Sequence, residues 1–521
     1  MNSLLKTLVI PSLFCVAQIA AGQTTANPDS ALQVILNGLQ GTRLTLQQAV
    51  EHALTNATSV RNAEAAYQAA EGSVRRESGF FDPALFLSLN HQDNQQPTSS
   101  AFAGAPVLAT KQTLSRGGLR MNLPIGTKLE LSVNTSRLTT NSSLATLNPE
   151  YDATGLLTVR QPLLSGFAAS ARKQLSSAEE GLGAQKARYD QAVLAVKSEV
   201  ERMYWDLYAA ERDYAVQRLT RDRAVEFLKE TKLRAETGLV GSNQVASAKT
   251  FLAEQELQLF DRDEQLGHQS DQLASLIGVQ PTDTTLRFIP VDTPPGDFVP
   301  EPVNVLVERA LKNNLDLQAA QKDVDAARTL SDAAQWEALP SVDLVGSVGG
   351  NGLLGTSQVV SIPGFPAFTA PGGSFGDALN QAINRDYPTW SIGVEVSIPI
   401  GLRSGLGEKD RLDGHVVSAQ QRSIGYSRRL EEQVRAAYRE VSHGKGRLQA
   451  AKDGVDAAAE QVRIGLIEFR TGRVTAFELV RLGEDFATAQ RRYSDALVRT
   501  AKAAATLKQL TSEESTITQP Q

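Results

Sequence analysis

The sequence offers few residues placed to do chemistry. Gly350-Asn351-Gly352-Leu353-Leu354-Gly355 is a literal G-x-G-x-x-G. A dinucleotide site needs that turn to open a helix, whose N-terminal amides hold the pyrophosphate. Here "TSQVVSIPGFPAF" follows, with two prolines and no helical period, so the glycines read as a flexible loop. The histidines, His52, His91, His268, His415 and His443, are scattered without metal-ligand spacing. Glu and Asp are plentiful, but on helical stretches where pairing one turn away accounts for them. The single cysteine, Cys15, lies near the N-terminus. No catalytic, cofactor-binding or metal constellation emerges, and an enzyme is not expected.

The chain has 521 residues, of which 41% are hydrophobic and only 6% aromatic, and its net charge is −6. That acidic balance argues against nucleic acid, which needs a basic face to displace counterions. Ala, Leu, Gln, Glu and Arg crowd long stretches, the composition of packed helices. Lys6 precedes an apolar run from Leu8 to Ala21, ending in small residues, which reads as a secretory signal peptide over 1–22. Phe14 beside Cys15 speaks against a lipoprotein site. No later stretch is apolar enough for a spanning helix, so a membrane crossing would need strands.

The sequence repeats itself. "LTLQQAVEHALTNATSV" (Leu44 to Val60) is answered by "PVNVLVERALKNNLDLQ" (Pro302 to Gln318). "VERMYWDLY" (Val200 to Tyr208) matches "VRAAYREVS" (Val434 to Ser442), with Tyr204 on Tyr438. "ETGLV" (Glu236 to Val240) matches "RTGRV" (Arg470 to Val474). The expected organisation is a linker over 23–41, repeat one over 42–281, a Pro-rich linker over 282–302, repeat two over 303–510 and a tail over 511–521. Each repeat reads as a helix (44–78; 303–338), a strand region, a long helix (168–236; 403–470), a turn and another long helix. At about 1.5 Å per residue such rods reach roughly 100 Å, too long for a compact domain. Val196, Val200, Met203, Leu207, Ala210 and Tyr214 step alternately by four and three, as Leu430, Val434, Ala437 and Val441 do. That is the seam of a coiled coil.

The strand regions alternate: Leu85, Leu87 and Leu89 share a face in 82–92, and 341–349 and 390–400 behave likewise. Strands of about 9–11 residues with one apolar face suit a membrane barrel wall. Phe80, Phe81, Tyr387 and Trp390 are candidates for an interfacial girdle. Polar or Gly/Pro-rich stretches near 93–112, 139–150 and 350–386 read as long exposed loops. One chain holds too few strands to close a barrel, so several copies are implied.

This duplicated plan, with its paired "TGLV" and "TGRV" turns, resembles the TolC-like outer-membrane efflux protein family over about 42–510. The resemblance implies an α+β membrane protein: a homotrimer with a twelve-stranded outer-membrane β-barrel, continued by a coiled-coil α-helical periplasmic tunnel. It implies a passive exit duct in efflux or type I secretion, docked to a periplasmic adaptor and an inner-membrane pump, with outer-membrane lipid around it. An apparent extra hairpin near 113–137 departs from that strand count, and its place stays open at this point. The TG turns would be the periplasmic tips, with Gly238, Leu239, Val240, Gly472, Arg473 and Val474 meeting the adaptor. The family's charged tip lock falls here on Gln244, Asn243, Phe469 and Val474, so Arg470 or Arg473 would have to substitute. An acidic ring below the tip falls on Glu478, with Arg481 as its second member. The alternative is a periplasmic coiled-coil scaffold without channel activity.

Overall fold

A computed structural model describes residues 28–512 apart from 101–102, 283–286, 297, 362–365 and 472. The leader read over 1–22 and tail residues 513–521 lie outside the described residues. In chain order the elements are α1 (Pro28–Asn37), β1 (Thr42–Leu44), α2 (Leu46–Asn56), α3 (Thr58–Ser78), β2 (Ala84–Pro97), β3 (Val107–Asn122), β4 (Lys128–Thr140), β5 (Leu147–Pro162), α4 (Ala169–Glu236), α5 (Ser242–Ile277), β6 (Phe288–Pro290), α6 (Val303–Asn313), α7 (Leu315–Glu337), β7 (Ser341–Ser357), α8 (Phe375–Asn384), β8 (Tyr387–Ser397), α9 (Arg403–Arg470) and α10 (Ala476–Thr511). The duplication is metric as well as sequential. The helices α4 and α9 each have 68 residues, and α5 and α10 each have 36. No described helix is apolar enough to cross a membrane.

Three expectations are corrected here. The single helix expected over 44–78 is two, α2 and α3, separated by Ala57 in an extended conformation (ψ 125°). The single helix expected over 303–338 breaks likewise at Asn314, whose side chain accepts from the Leu317 amide at 3.1 Å. A short polar side chain that caps an amide stabilises the new helix start, so Asn314 favours the break. The stretch 23–41, expected as a linker, contains α1, whose Leu32 is buried with Ala215, Val216 and Ala487.

The chain divides into two compact units. One holds 50–199, 299–440 and 503–521, and its centre is a six-stranded antiparallel sheet in the order β2-β3-β4-β5-β7-β8. The hairpin read near 113–137 therefore belongs to the sheet: β3 and β4 pair from Asn122↔Lys128 to Thr110↔Thr140. Its turn closes through Leu123 and Thr127, with Gly126 at φ +90° where a side chain would be strained. The strands run to 17 residues, beyond the expected length, and absorb much of the stretches expected as loops. The G-x-G-x-x-G segment is one such correction, because it lies inside β7.

The other unit holds residues up to 49, 200–298 and 441–502. The long helices account for most of it. Seam residues Val200, Leu207 and Ala210 are buried there, as is Val441. Seam residues of the first unit, Val196, Leu430, Val434 and Ala437, are buried in the same way. Strands β1 and β6 form a short parallel pair. Tyr204 fastens it: the hydroxyl lies 3.0 Å from the Leu44 carbonyl and 2.9 Å from the Asp292 carboxylate, and it accepts from the Val291 and Asp292 amides. Tyr204 is fully buried, and burial raises its hydroxyl pKa well above the ordinary tyrosine value. Its repeat counterpart, Tyr438, is only half-buried. The Pro-rich segment is thus threaded through the first repeat's tyrosine, where extended chain is what its prolines permit.

Candidate functional site: the helix tips and the strand wall

The first tip is built by a left-handed cap. Helix α4 ends at Glu236, and Gly238 follows at φ +73°. The Gly238 amide donates to the Ala235 carbonyl (3.0 Å), and the Leu239 amide to that of Arg234 (2.9 Å). This pair of bonds satisfies the last free carbonyls of the helix, and glycine adopts the required φ without strain. A hydrophobic contact often accompanies such a cap. Leu239 instead stands 75% exposed, so its apolar surface is surplus to the cap. Val240 is half-buried.

The second tip has the same long bond: the Arg473 amide donates to the Glu468 carbonyl at 2.9 Å. Gly472 lies outside the described residues, as does the side chain of Arg470, the last residue of α9. Arg473 is exposed and Val474 half-buried. Gln244 and Glu478 sit in the first turns of α5 and α10, both exposed, and Arg481 is exposed one turn beyond Glu478. The Glu478 amide takes the Thr475 hydroxyl as a cap at 3.3 Å, leaving the carboxylate out of the capping.

The sequence pattern missed the contact that joins the two tips. The Arg234 guanidinium lies 4.3 Å from the centroid of the Phe469 ring, over its face. Glu230 holds the same guanidinium at 2.8 Å from one turn back. Phe469 is buried, and with Phe227, Phe251, Leu466 and Leu479 it lines an apolar groove of about 520 Å³ just inside the tips. Between the two tips the chain thus sets a cation on an aromatic face. The spacing of Glu230 and Arg234 was visible in the sequence, but the reach of Arg234 to Phe469 depends on how α4 and α9 lie together.

Farther from the tips, Gln217 is a polar node. It donates to Gln255 on α5 at 2.9 Å and accepts from Arg491 on α10 at 2.6 Å. Next to it, burial pushes the Asp213 and Asp495 carboxyls up and the Arg491 guanidinium down. Two residues before Asp213, burial pushes the Glu211 carboxyl up to about 7, against the pull of Arg212 and Arg43.

The sheet has two chemically distinct faces, because residues directly across a ladder share a side. One row runs Leu85, Leu119, Leu131, Leu157, Val348, Trp390. Leu87, Leu89, Ile392, Val394 and Val396 extend that face, and all five are exposed. The opposite face carries Arg116, Arg120, Glu130, Arg160, Asp343 and Glu395. Arg160 bridges Asp343 at 2.8 Å and also pairs with Glu395. Of the girdle candidates, Trp390 lies on the apolar face, whereas Tyr387 pairs with Asn351 on the polar one. Among the described residues, neither edge strand of the sheet, β2 or β8, pairs with a further strand.

One serine motif went unread in the sequence. Gly372-Gly373-Ser374-Phe375-Gly376 spells the nucleophile-elbow pattern. An elbow places its serine directly between strand and helix. Ser374 instead caps α8: its hydroxyl accepts from the Asp377 amide, and the Asp377 carboxylate accepts from the Ser374 amide. The serine is engaged in a capping box, not presented as a nucleophile.

Duplicated long helices with capped tips and a sheet with one bare apolar face define a helical protein that carries part of a membrane wall. The model of the family described as outer membrane efflux protein matches residues 49–279 and 306–513. The chain belongs to that family, whose members are outer-membrane channels. Among solved structures, the outer-membrane channel OprN is similar at 16% identity and TM-score 0.62, with 90% of each chain covered. The Campylobacter jejuni CmeC outer membrane channel is similar at 13% identity and TM-score 0.63, covering 89% of this chain and 85% of that one. The outer membrane protein VceC of Vibrio cholerae is similar at 16% identity and TM-score 0.61, covering 89% and 95%. At these identities the likeness shows the fold. No curated protein sequence matches the chain.

Proposed function

We propose that the chain is the passive outer-membrane exit duct of a tripartite efflux or type I secretion assembly. Three copies would close one barrel, and the helical hairpins would extend the duct into the periplasm. The observation that carries this reading is the sheet itself: six strands, two open edges and a bare apolar face, in a member of an outer-membrane channel family. Because six is even, β8 of one copy runs antiparallel to β2 of the next, so identical copies close head to tail. Three copies give eighteen strands where the resemblance implied twelve. Barrels of about 16–18 strands leave an aqueous channel.

The polar face with Arg116, Arg160 and their acidic partners then lines the pore, and lipid covers Leu87 and Ile392. A soluble scaffold would leave that apolar face in water, which disfavours the alternative. The periplasmic adaptor would dock on the tips through Leu239, Val240, Arg473 and Val474, with Gly238 and Gly472 shaping the turns, and would link the duct to an inner-membrane pump. Leu239 supports this, since its exposed apolar surface serves no contact within the cap. The aperture would be set by Glu478, with Gln244, Arg470 and Arg481 around it and the Arg234–Phe469 contact holding the two tips of each copy together. The test is reconstitution of the purified chain in planar bilayers. Discrete conductance steps from a detergent-dependent trimer are expected; a monomer that is soluble without detergent and silent in bilayers would defeat the proposal.

A further inference from the structure

Helix α8 lies on the apolar face of the sheet. Residues Tyr151, Ala153, Gly350, Gly352 and Leu354 share that face with Leu87 and Ile392 by register. Ala378 and Ala382 pack on Ala153, flanked by Tyr151 and Leu354. The approach is that of backbone to backbone: a methyl group added at Gly350 or Gly352 would run into the carbonyls of Ala382 and Ala378. The Phe375 ring meets Tyr151 edge-on, centroids 5.9 Å apart. These contacts use only one side of the apolar arc of α8. Toward the other edge Phe375 keeps 43% of its surface exposed despite its contact with Tyr151, and Ile383 stands bare at 63%. Asp377, Asn380 and Asn384 occupy the opposite side. No Asp, Glu, Lys or Arg occurs from Asn351 to Gly376, an unusual gap for a segment meant to stand in water. Exposed Trp390 lies on the same face, at the start of the following strand.

The strand ends that adjoin α3, α4, α7 and α9 are all at the other end of the sheet. We propose that α8 is an interfacial helix on the outside of the barrel, its Phe375–Ile383 edge seated among acyl chains of the outer leaflet. This rests on the wall reading above. A helix with a bare apolar edge and an uncharged approach, continuous with a lipid-facing surface, is suited to the headgroup–acyl boundary. It would hold β7 where β8 no longer pairs with it, beyond Asn351.

Cys15 is the sequence's only cysteine, so a Cys15→Ala chain has no competing thiol. In that background, environment-sensitive dyes at Ile383→Cys, Asn380→Cys and Ile392→Cys are compared in phosphatidylcholine vesicles. The quenchers are nitroxide-labelled acyl chains in the bilayer and iodide in the water. The labels at Ile383→Cys and Ile392→Cys should be quenched several-fold more by the nitroxide lipid than the label at Asn380→Cys, with iodide showing the reverse order. Quenching at Ile383→Cys by iodide alone would overturn the inference, because the helix would then stand in water. Shielding from both quenchers would also overturn it, showing the edge covered by a second copy. The label at Ile392→Cys reports the wall separately: if nitroxide lipid quenches there and not at Ile383→Cys, only the α8 inference falls. If it fails at Ile392→Cys, the wall reading falls.

Discussion

Removing the charge of Arg234 should loosen the tips. The guanidinium sits 4.3 Å from the Phe469 centroid and is steadied by Glu230 at 2.8 Å. At this partly exposed position a cation over an aromatic face contributes about 0.5–1 kcal/mol. Three copies acting together on one aperture give roughly 1.5–3 kcal/mol, a shift of about 10- to 150-fold in the ratio of open to closed channels. Arg234→Gln is the suitable change, because glutamine keeps helix propensity and most of the stem while losing the charge. Phe469→Leu should act in the same direction, since it keeps an apolar side chain and loses the ring. Phe469→Ala is less useful, because the cavity alone costs about 3–5 kcal/mol and would disturb packing generally. Single-channel recording gives the ratio directly as open probability. If Arg234→Gln leaves open probability unchanged while the protein remains folded, the contact does not hold the aperture.

Three further outcomes follow from the same structure. Glu211 has a folded pKa of about 7 against an ordinary 4.5, so the fold favours its protonated form. That stabilisation is full below pH 4.5 and is lost as pH rises through 7. Glu211→Gln should therefore flatten the loss of thermal stability over that window, by at most about 3 kcal/mol per copy, and parallel melting curves for both proteins would contradict it. Glu478→Ala should lower cation preference, read as a change in reversal potential under a salt gradient; an unchanged potential would remove Glu478 from the aperture. Tyr204→Phe leaves the Val291 and Asp292 amides without their shared hydroxyl acceptor, at a cost of about 1–3 kcal/mol. Hydrogen exchange over 288–292 should accelerate, and unchanged protection would show that the β1–β6 pair holds without the tyrosine.

The long helices and the seam were legible because their signals are local and periodic. Val200, Leu207 and Val434 declare themselves by spacing alone, and the bounds expected for α4 and α9 lie within a residue of those found. Gly238 was legible through duplication and through the left-handed backbone conformation a helix reversal requires. The breaks at Ala57 and Asn314 were not, because a single residue in extended conformation barely disturbs an apolar period. The strand count was ambiguous for a different reason: a hairpin such as β3–β4 looks the same whether it joins a sheet or stands beside it, and only pairing with β2 and β5 decides. Helix α8 carried a readable start signal, Ser374 with Asp377 three residues on, but the glycine- and proline-rich approach obscured it. The glycines of β7 were read as loop because glycine is rare in strands. For Gly350 and Gly352 the reason is the helix backbone that lies on them, a contact between segments 25 residues apart or more, whereas Gly349 and Gly355 abut β5. Arg234 on Phe469 and Gln217 on Gln255 and Arg491 belong to the same kind, since each joins distant parts of the chain.

Three copies of this six-stranded sheet should close one membrane barrel. Electron cryomicroscopy of the full chain in lipid nanodiscs tests it most directly, by counting strands around the symmetry axis. Three-fold symmetry and eighteen strands are expected, with β2 of one copy paired to β8 of the next and the β3–β4 hairpin in the wall. A twelve-stranded barrel with that hairpin folded away, or a sheet left open in a monomer, would contradict it.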